Sequence, residues 1–352
     1  MEKRFMKGNE AIAEAAVMAG CRHFFGYPIT PQNEIPEYLS WRLPEVDGVF
    51  VQAESEVSAI NMCYGTAGSG ARVMTSSSGP GMSLKSEGIS YLAGSSLPCV
   101  IVNIMRAGPG LGGIQPSQSD YFQATRGGGH GDYQSLVYAP TSVQQAVDLT
   151  QLAFDKADEY LMPAIILGDG IIGQMMEPVI IPEKKPIAVD KSWATTGWSD
   201  KSRKRAVITS LYLNPLELEK MNLDLQAKYK KIKETEVLYE TYNTEDCDIL
   251  VVAYGSTART IRSAIDENEL KGHKIGLFTP ISLWPFPEKE LLEAAKGKKA
   301  VLVVEMSAGQ MVEDVRLSVG ATAPIHFYGR IGGVIPTAEE IFAQIVKLGE
   351  VL

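Results

Sequence analysis

The chain has 352 residues, of which 45% are hydrophobic and 21% charged, the balance of an ordinary globular protein with room for two domains. Its formal net charge is −9, and it lacks basic runs with interleaved aromatic residues, which argues against nucleic acid as the main partner. No apolar stretch reaches the length of a membrane helix, and residues 1–10 lack the apolar core of a signal peptide. We therefore expect a cytoplasmic protein with no membrane partner.

The pattern of residues 1–185 alternates between helix-like and strand-like segments, which predicts a doubly wound, mostly parallel α/β sheet. Helices are predicted over residues 9–19, 54–68 and 141–159. Strands are predicted over residues 23–25, 48–52, 72–76, 98–105 and 163–167.

Residues 186–246 have a different composition, because prolines and polar residues precede a Lys- and Glu-rich stretch. We interpret this part as a connecting segment with one exposed helix over residues 216–238. Strand-like and helix-like segments alternate again over residues 247–352, which predicts a second, smaller α/β domain.

Cysteines and histidines give no support for a metal centre. The four cysteines and the four histidines are scattered, without a C-x-x-C or H-E-x-x-H pattern. We therefore predict buried thiols, and no iron–sulfur cluster or other metal site in this chain.

Three polar motifs directly follow predicted strands, at the sheet edge where open α/β sheets bind ligands. The first is Tyr27-Pro28-Ile29-Thr30-Pro31, whose prolines would present the Thr30 hydroxyl. The second is residues 75–81, TSSSGPG, whose small residues let a flat or anionic ligand approach the backbone. Both are also compatible with ordinary turns in which Thr or Ser caps the next helix.

The third motif is Arg106, which is followed by the glycine-rich sequence AGPGLGGIQPSQSDYFQATRGGGHGD. A guanidinium group at the end of a strand suits a carboxylate substrate, although a surface arginine before a loop has the same pattern. Upstream, Glu54 and Glu56 open a helix of small residues. Either acid could simply interact with the helix dipole, or could be buried against a ligand.

Two further motifs match known cofactor sites only in part. Residues 108–113 fit G-x-G-x-x-G, but Pro116 and polar residues follow where a dinucleotide site needs a helix. Gly168-Asp169-Gly170 matches the start of the motif that holds Mg²⁺ and the diphosphate of thiamine diphosphate. The asparagine pair that should follow 25–30 residues later is absent, so we expect no such half-site in this chain.

Taken together, these motifs resemble the alpha chain of 2-oxoacid:ferredoxin oxidoreductases. YPITP, the acid pair before the small-residue helix, SSSGPG and Arg106 carry the resemblance in the first domain. AYGSTAR, TPISLWPFP, VVEMSAGQMVEDVR and FYGRIGG carry it in the second. The sequences KGNEAIAEAA, GYPITPQNEIPEY and GGIQPSQSDYFQAT are most similar to subunits that act on 3-methyl-2-oxobutanoate, with the 2-oxoglutarate enzymes as close relatives.

The resemblance implies a thiamine diphosphate enzyme in which this chain supplies one half of the site. Residues 1–185 would be the pyrimidine-binding domain, and residues 247–352 would resemble the transketolase C-terminal domain. A beta chain would hold Mg²⁺ and the diphosphate. A ferredoxin-like subunit, and possibly a gamma chain, would carry the iron–sulfur clusters. Coenzyme A would accept the acyl group and ferredoxin the electrons.

The resemblance also assigns roles to residues. Glu56 would hydrogen-bond N1′ of the aminopyrimidine, with Glu54 as the fallback. The cofactor-binding residues would be Tyr27, Pro28, Ile29, Ser77, Ser78 and Gly79. The substrate-binding residues would be Thr30, Arg106, Ile114 and Gln115.

The loop after Arg106 has no Lys or Arg before Arg126, which favours an aliphatic 2-oxoacid over 2-oxoglutarate. Three alternatives remain open: the same reaction on 2-oxoglutarate or pyruvate, a nicotinamide-dependent dehydrogenase, and a non-catalytic assembly subunit.

Overall fold

The computed structural model describes residues 3–197, 201, 204–266 and 274–351. In the N-terminal part the elements are β1 (Arg4–Lys7), α1 (Gly8–Met18), β2 (His23–Gly26), α2 (Glu34–Arg42), β3 (Val49–Gln52), α3 (Glu56–Gly68), β4 (Val73–Ser77), α4 (Pro80–Gly94), β5 (Cys99–Met105), α5 (Tyr121–Thr125), β6 (Leu136–Tyr138), α6 (Val143–Tyr160), β7 (Pro163–Asp169), α7 (Gly170–Gln174) and β8 (Met176–Val179).

The remaining elements form the connection and the C-terminal part. They are α8 (Pro215–Thr235), β9 (Tyr239–Tyr242), β10 (Ile249–Val252), α9 (Gly255–Asp266), β11 (Ile275–Pro280), β12 (Ser282–Trp284), α10 (Glu288–Ala295), β13 (Ala300–Glu305), α11 (Met311–Val319), β14 (Ile325–Gly329) and α12 (Ala338–Val351).

The larger sheet has seven strands in the order β12-β6-β7-β5-β4-β2-β3. All neighbouring strands in it are parallel except β12, which pairs antiparallel with β6. Strands β5 and β7 are buried at every position, as expected for a parallel sheet covered by helices on both faces. The sheet order brings the carboxyl ends of β2, β4 and β5 to one edge.

The smaller sheet has five strands in the order β14-β13-β10-β11-β9. Its strands are parallel except β9, which pairs antiparallel with β11. The predicted α/β architecture is confirmed. Strands β1, β6 and β8 were not predicted from the sequence. Two further strands lie in unexpected sheets: β9 lies within the predicted connecting segment but belongs to the smaller sheet, and β12 extends the larger sheet from the C-terminal part of the chain.

Gln118 connects the two parts of the molecule and is fully buried. Its Nε2 donates to the carbonyl oxygen of Tyr254 at 2.8 Å. Its Oε1 accepts from the backbone N–H of Met306 at 2.9 Å and from Thr257 Oγ1 at 3.2 Å. One side chain thus satisfies backbone groups at the carboxyl ends of two strands of the smaller sheet. The two parts are therefore joined by a buried side chain that is hydrogen-bonded through both ends of its amide group.

We expect Gln118→Ala to lower the free energy of unfolding by about 2–4 kcal/mol, because at least two buried backbone groups lose their partner. Denaturant unfolding followed by circular dichroism measures the change. Gln226→Ala is the matched control, since exposed Gln226 makes one hydrogen bond, to the carbonyl of Asp132. It should change the stability by less than about 0.5 kcal/mol. Equal midpoints for the two variants would contradict this role of Gln118.

Candidate active site

The polar motifs predicted from the sequence meet at the carboxyl ends of β2, β4 and β5. The turn at residues 27–31 follows β2, the SSSGPG sequence covers the end of β4 and the start of α4, and Arg106 follows β5. Helix α3 begins nearby, capped by the Ser55 hydroxyl, which accepts from the Ser58 N–H at 3.2 Å. This is the edge at which open α/β sheets bind ligands.

Glu56 and Glu54 lie in opposite environments. Glu56 is the first residue of α3, and the residue is 6% exposed. Glu54 is exposed, and its carboxylate accepts hydrogen bonds from the hydroxyl groups of Ser58 and Ser55. The bond from Ser58 is the main reason why the pKa of Glu54 is lowered. The structure therefore directs the Glu56 carboxyl group inward and leaves Glu54 in solvent.

Gly81, in the first turn of α4, allows Glu56 to approach the end of β4. A Cβ atom built on Gly81 would lie 2.5 Å from Glu56 Oε1 and closer still to Ser77 Oγ. The Ser77 hydroxyl is on a short side chain of β4, whereas the Glu56 carboxyl group ends a longer, flexible one, so a side chain at Gly81 would have to displace both. The Glu56 carboxyl group, the Ser77 hydroxyl and the start of α4 thus form one closely packed group.

We expect Gly81→Ala to displace the Glu56 carboxyl group and to weaken the binding of any ligand that this group contacts. The overpacking should also cost about 1–3 kcal/mol of stability. Gly65→Ala, in the middle of α3, is the control, because its Cβ would meet nothing within 4 Å. Gly65→Ala should stabilise the helix by roughly 0.5–1 kcal/mol. The two variants are compared by calorimetry of thiamine diphosphate binding and by thermal unfolding. Equal affinities of the two variants for thiamine diphosphate would contradict the prediction.

Several buried polar atoms at this edge have no hydrogen-bond partner within the described part of the chain. They include the hydroxyl oxygens of Ser77 and Ser78, Asn103 Oδ1 and Arg106 Nε. Buried polar groups are nearly always paired in folded proteins. Four unpaired atoms at the ends of two neighbouring strands therefore favour a polar ligand at this place.

Arg106 is buried at the end of β5 and donates to two loops. Its Nη1 donates to the carbonyl of Thr30 and its Nη2 to the carbonyl of Leu111, both at 3.0 Å. Gly79 adopts φ +46°, and a Cβ there would lie 3.3 Å from Arg106 Cγ and Nε. A guanidinium group has five N–H donors, so three remain available. The Arg106 side chain thus lies against the SSSGPG turn with donors to spare for a carboxylate.

Sequence reasoning missed Asp120 and Asn103, which complete the polar group around Arg106. Asn103 Nδ2 donates to Asp120 Oδ2 at 3.0 Å. The pKa of Asp120 is raised by burial, and the Asn103 hydrogen bond, the Arg106 charge and the Gly79 N–H offset this effect only in part. Asp120 lies within the sequence SQSDYFQAT, and its spacing gave no signal, because only the fold returns this loop to the end of β5.

Gln32 was also missed, and it fixes the turn that carries Tyr27, Pro28, Ile29 and Thr30. Fully buried Gln32 accepts a hydrogen bond from Ser76 Oγ. Its Nε2 donates to the carbonyl of Tyr27 at 3.4 Å. Tyr27 and Pro28 are exposed, whereas Ile29 and Thr30 are half-buried. The turn therefore presents its first two residues at the surface beside the carboxyl end of β4.

Three of the predicted substrate residues line one open cavity of about 600 Å³. They are Thr30, Ile114 and Gln115, and Pro31, Glu34 and Met175 are also in its wall. Arg106 does not line this cavity, but it donates a hydrogen bond to the carbonyl of Thr30, which does. Glu56, Ser77 and Ser78 do not line the cavity. The structure thus separates the predicted residues into two neighbouring groups, with Arg106 and Thr30 between them.

Asp169, in the partial Mg²⁺–diphosphate motif, has a structural role instead. Its Oδ1 accepts from the N–H groups of Ile171 and Ile172, at 3.1 and 3.2 Å, and thereby caps α7. Its Oδ2 accepts from the N–H of Ser256 at 2.8 Å, across the contact with the C-terminal part. With its oxygens engaged in the interior, Asp169 is not placed to bind a metal ion. Within the described ranges there is also no cluster of three or more His, Cys, Asp or Glu side chains that could hold one.

The G-x-G-x-x-G sequence at residues 108–113 forms a loop that is held by hydrogen bonds between its own backbone groups and those of its neighbours. The N–H of Gly113 donates to the carbonyl of Ala107, and the N–H of Ala107 donates to the carbonyl of Gln115. Arg106 then forms a bridge with Pro116. No helix starts here, so the segment lacks the strand–turn–helix that a dinucleotide site needs.

None of the described helices is long and apolar enough to cross a membrane.

Solved structures with similar folds define the class of protein. The chain aligns with 2-oxoglutarate:ferredoxin oxidoreductase from Magnetococcus marinus, which was solved with 2-oxoglutarate, coenzyme A and succinyl-CoA bound. The TM-score is 0.89 at 26% identity, over 99% of this chain and 65% of that one, so the chain spans about two thirds of the solved protein. A split-gene transketolase has the same overall fold, with a TM-score of 0.59 at 14% identity over 97% of this chain.

Sequence comparisons then give the family. Residues 14–243 match the thiamine diphosphate-binding domain of pyruvate flavodoxin/ferredoxin oxidoreductases, and residues 247–341 match core domain II of pyruvate:ferredoxin oxidoreductase. Ketoisovalerate oxidoreductase subunit VorB of Methanothermobacter marburgensis is 48% identical over 99% of this chain and 98% of its own length. 2-Oxoglutarate synthase subunit KorA of the same organism is 37% identical over 99% of both chains. The chain therefore belongs to the 2-oxoacid:ferredoxin oxidoreductases, and the predicted family is confirmed.

Proposed function

We propose that this chain is the pyrimidine-binding subunit of an enzyme that oxidatively decarboxylates 3-methyl-2-oxobutanoate with coenzyme A and ferredoxin. The observation that carries the proposal is the buried Glu56 carboxyl group beside the unpaired hydroxyl groups at the end of β4, in a chain of a thiamine diphosphate-binding family. Bound thiamine diphosphate would supply the carbanion equivalent that decarboxylation of a 2-oxoacid requires.

Each group of residues has a separate task in this proposal. Glu56 holds a proton at N1′ of the aminopyrimidine, and its burial keeps water from competing for that contact. The polar edge of the ring is held by Ser77, Ser78 and Gly79. The hydroxyl groups of the two serines lack partners in the described chain, and Gly79 lies against the Arg106 side chain. Tyr27, Pro28 and Ile29 form the adjoining wall.

A separate beta chain would hold Mg²⁺ and the diphosphate. Three observations support this. Asp169 is engaged inside the protein, and the sequence lacks the asparagine pair that would complete a half-site. In addition, exposed apolar side chains surround the site; they are Tyr27, Val57, Leu84, Leu111 and Ile114. Apolar groups clustered around a ligand site are typical of a protein–protein interface. Iron–sulfur clusters would lie on further subunits.

Arg106 and the cavity beside it favour a monocarboxylic, aliphatic substrate. Arg106 has free donors for the carboxylate next to the oxo group, and Thr30 lies within reach of the same place. The cavity beyond is lined by Ile114, Met175 and prolines, together with Gln115 and the Glu34 carboxylate, which pairs with Lys7 at 2.9 Å. Among the residues that the structure describes, no arginine or lysine lines this cavity. A second carboxylate, as in 2-oxoglutarate, would find no unpaired cation beside it, because the neighbouring Lys7 ammonium group already pairs with Glu34.

Co-purification from the native host, followed by an assay, tests the proposal. We expect a beta chain and a cluster-bearing chain to accompany this one. The complex should reduce a dye in the presence of coenzyme A and a 2-oxoacid, with a higher kcat/KM for 3-methyl-2-oxobutanoate than for 2-oxoglutarate or pyruvate. The reverse order would overturn the substrate assignment. Binding of thiamine diphosphate with its magnesium ion to the isolated chain, as tight as to the complex, would overturn the division of the site.

A further inference from the structure

The C-terminal part of the chain touches the loop at residues 107–115, here called the substrate loop because it carries two of the proposed substrate residues. The contact is made by Gly333, which follows β14 and has no role in the steps proposed above. A Cβ atom built on Gly333 would lie 2.4 Å from the Cβ of Gln115 and 3.3 Å from the Cβ of Ala107. The first distance is far inside the separation of about 3.5–4.0 Å that carbon atoms prefer, so only glycine fits at this position.

Both sides of this contact are held by the carboxyl end of β13. On one side, shortly after Gln115, the N–H of Gln118 donates to the carbonyl of Met306 at 2.9 Å. On the other side, the N–H of Arg330 donates to the carbonyl of Glu305 at 3.2 Å. The two segments are thus fixed to adjacent residues of one strand end. Neither can move away from the other without breaking these hydrogen bonds.

Gln115 and Ala107 form the base of the substrate loop. The N–H of Ala107 donates to the carbonyl of Gln115 at 3.0 Å, directly after Arg106. Gln115 also borders the cavity of about 600 Å³, whereas Gly333 lies outside its wall. The Cβ atoms of both base residues rest on Gly333, so the position of this part of the cavity wall depends on how closely the C-terminal part approaches.

We propose that Gly333 is a positioning residue that sets the width of the substrate cavity and thereby its capacity for a branched side chain. The inference rests on the proposed function, because it assumes that the cavity holds the side chain of the 2-oxoacid. A methyl group at position 333 would push Gln115 away from the C-terminal part and narrow the cavity. A branched substrate should then lose more binding than an unbranched one of the same length, because the branch needs the most room. The C-terminal part would thus help to select the substrate without lining the cavity.

A comparison of Gly333→Ala with Gly332→Ala in the reconstituted complex tests the proposal. Both glycines have positive φ, +89° at Gly333 and +68° at Gly332, so alanine strains the backbone at either position. The two positions differ in their surroundings, since a Cβ on Gly332 would meet nothing within 4 Å. Gly332→Ala is therefore the matched control, which has the backbone strain but lacks the contact with Gln115.

The measured quantity is the ratio of kcat/KM for 3-methyl-2-oxobutanoate to kcat/KM for 2-oxobutanoate, two substrates that differ by one methyl group. We expect Gly333→Ala to lower this ratio about tenfold, near the lower limit of what one such group contributes in an apolar pocket. The loss should appear as a raised KM for the branched acid, and Gly332→Ala should keep the wild-type ratio. A wild-type ratio in an assembled Gly333→Ala complex would overturn the proposal, and so would an equal fall in Gly332→Ala.

A second background keeps the proposal testable if Gly333→Ala does not fold. Gln115→Gly removes the Cβ atom that a side chain at position 333 would meet at 2.4 Å. We expect Gly333→Ala to lower the denaturation midpoint of the full chain clearly when Gln115 is present and much less when it is replaced by glycine. Equal losses in the two backgrounds would overturn the contact. Preference of the wild-type complex for 2-oxoglutarate would instead refute the proposed substrate, without affecting the unfolding comparison.

Discussion

Glu56→Gln should reduce the turnover of the reconstituted complex by about 10²–10⁴-fold, the range that a positioned acid–base group contributes. The amide has nearly the size of the carboxyl group, so it fits the space between α3, Ser77 and Gly81. It cannot exchange a proton with a ring nitrogen. Because Glu56 is buried, solvent cannot readily take over this task. Steady-state dye reduction with saturating 2-oxoacid and coenzyme A measures the effect.

Glu54→Gln is the matched control for this experiment. Glu54 lies two residues away, but it is exposed, and its carboxylate contacts the hydroxyl groups of Ser55 and Ser58. We expect normal turnover in this variant. Glu56→Gln must still co-purify with its partner chains, which shows that assembly is intact. Unchanged turnover in Glu56→Gln would favour the alternative of a non-catalytic assembly subunit, and a loss confined to Glu54→Gln would transfer the role to that residue.

The position of the site could be predicted from the sequence because each motif directly follows a buried strand. In a doubly wound parallel sheet the carboxyl ends of the strands share one edge, so Thr30, Ser77 and Arg106 had to lie near one another. The choice between Glu54 and Glu56 could not be made in the same way. Glu54 lies just before α3 and Glu56 is its first residue. Which of them is buried depends on how closely α4 approaches, and Gly81 permits that approach.

Lys85 in α4 is fully buried, which its sequence does not indicate. In the sequence SLKSEG it resembles an exposed residue of a polar helix face. It is buried because Gly81 and Gly88 bring α3 within contact distance on either side of it.

The sheet that β12 joins could not be predicted from the sequence either. Its residues come from the C-terminal part of the chain but pair with β6 in the larger sheet, and no local periodicity indicates which sheet a strand will join.

The missing asparagines predict that Asp169 does not belong to a metal half-site, but the contacts that Asp169 makes could not be foreseen from the sequence. Its carboxylate caps α7 and also accepts from the N–H of Ser256, whose neighbour Gly255 adopts φ +61°. A Cβ on Gly255 would lie 2.6 Å from Asp169 Oδ2. This contact joins residues 87 positions apart in the chain, and it exists only once both sheets have formed.

Arg106→Lys should lower kcat/KM for the 2-oxoacid by about 10–100-fold, the equivalent of one or two charge-assisted hydrogen bonds. Arg106 reaches the carbonyl groups of Thr30 and Leu111 with two different nitrogens, and it has donors left for a carboxylate. A lysine ammonium group is compact. It cannot donate to the carbonyl groups of both loops and also bind the substrate carboxylate bidentately. The loss should appear mainly as a raised KM.

Inhibitors separate recognition of the carboxylate from damage to the loops. The inhibition constant of 3-methylbutanoate should rise in Arg106→Lys, whereas that of the uncharged ketone 3-methyl-2-butanone should not, because only the former has a charge for the guanidinium to bind. Arg126→Lys is the control, since Arg126 is the next cation along the same loop but pairs with Asp314 at 2.8 Å. Parallel weakening of both inhibitors would mean that Arg106 shapes the pocket without contacting the substrate carboxylate.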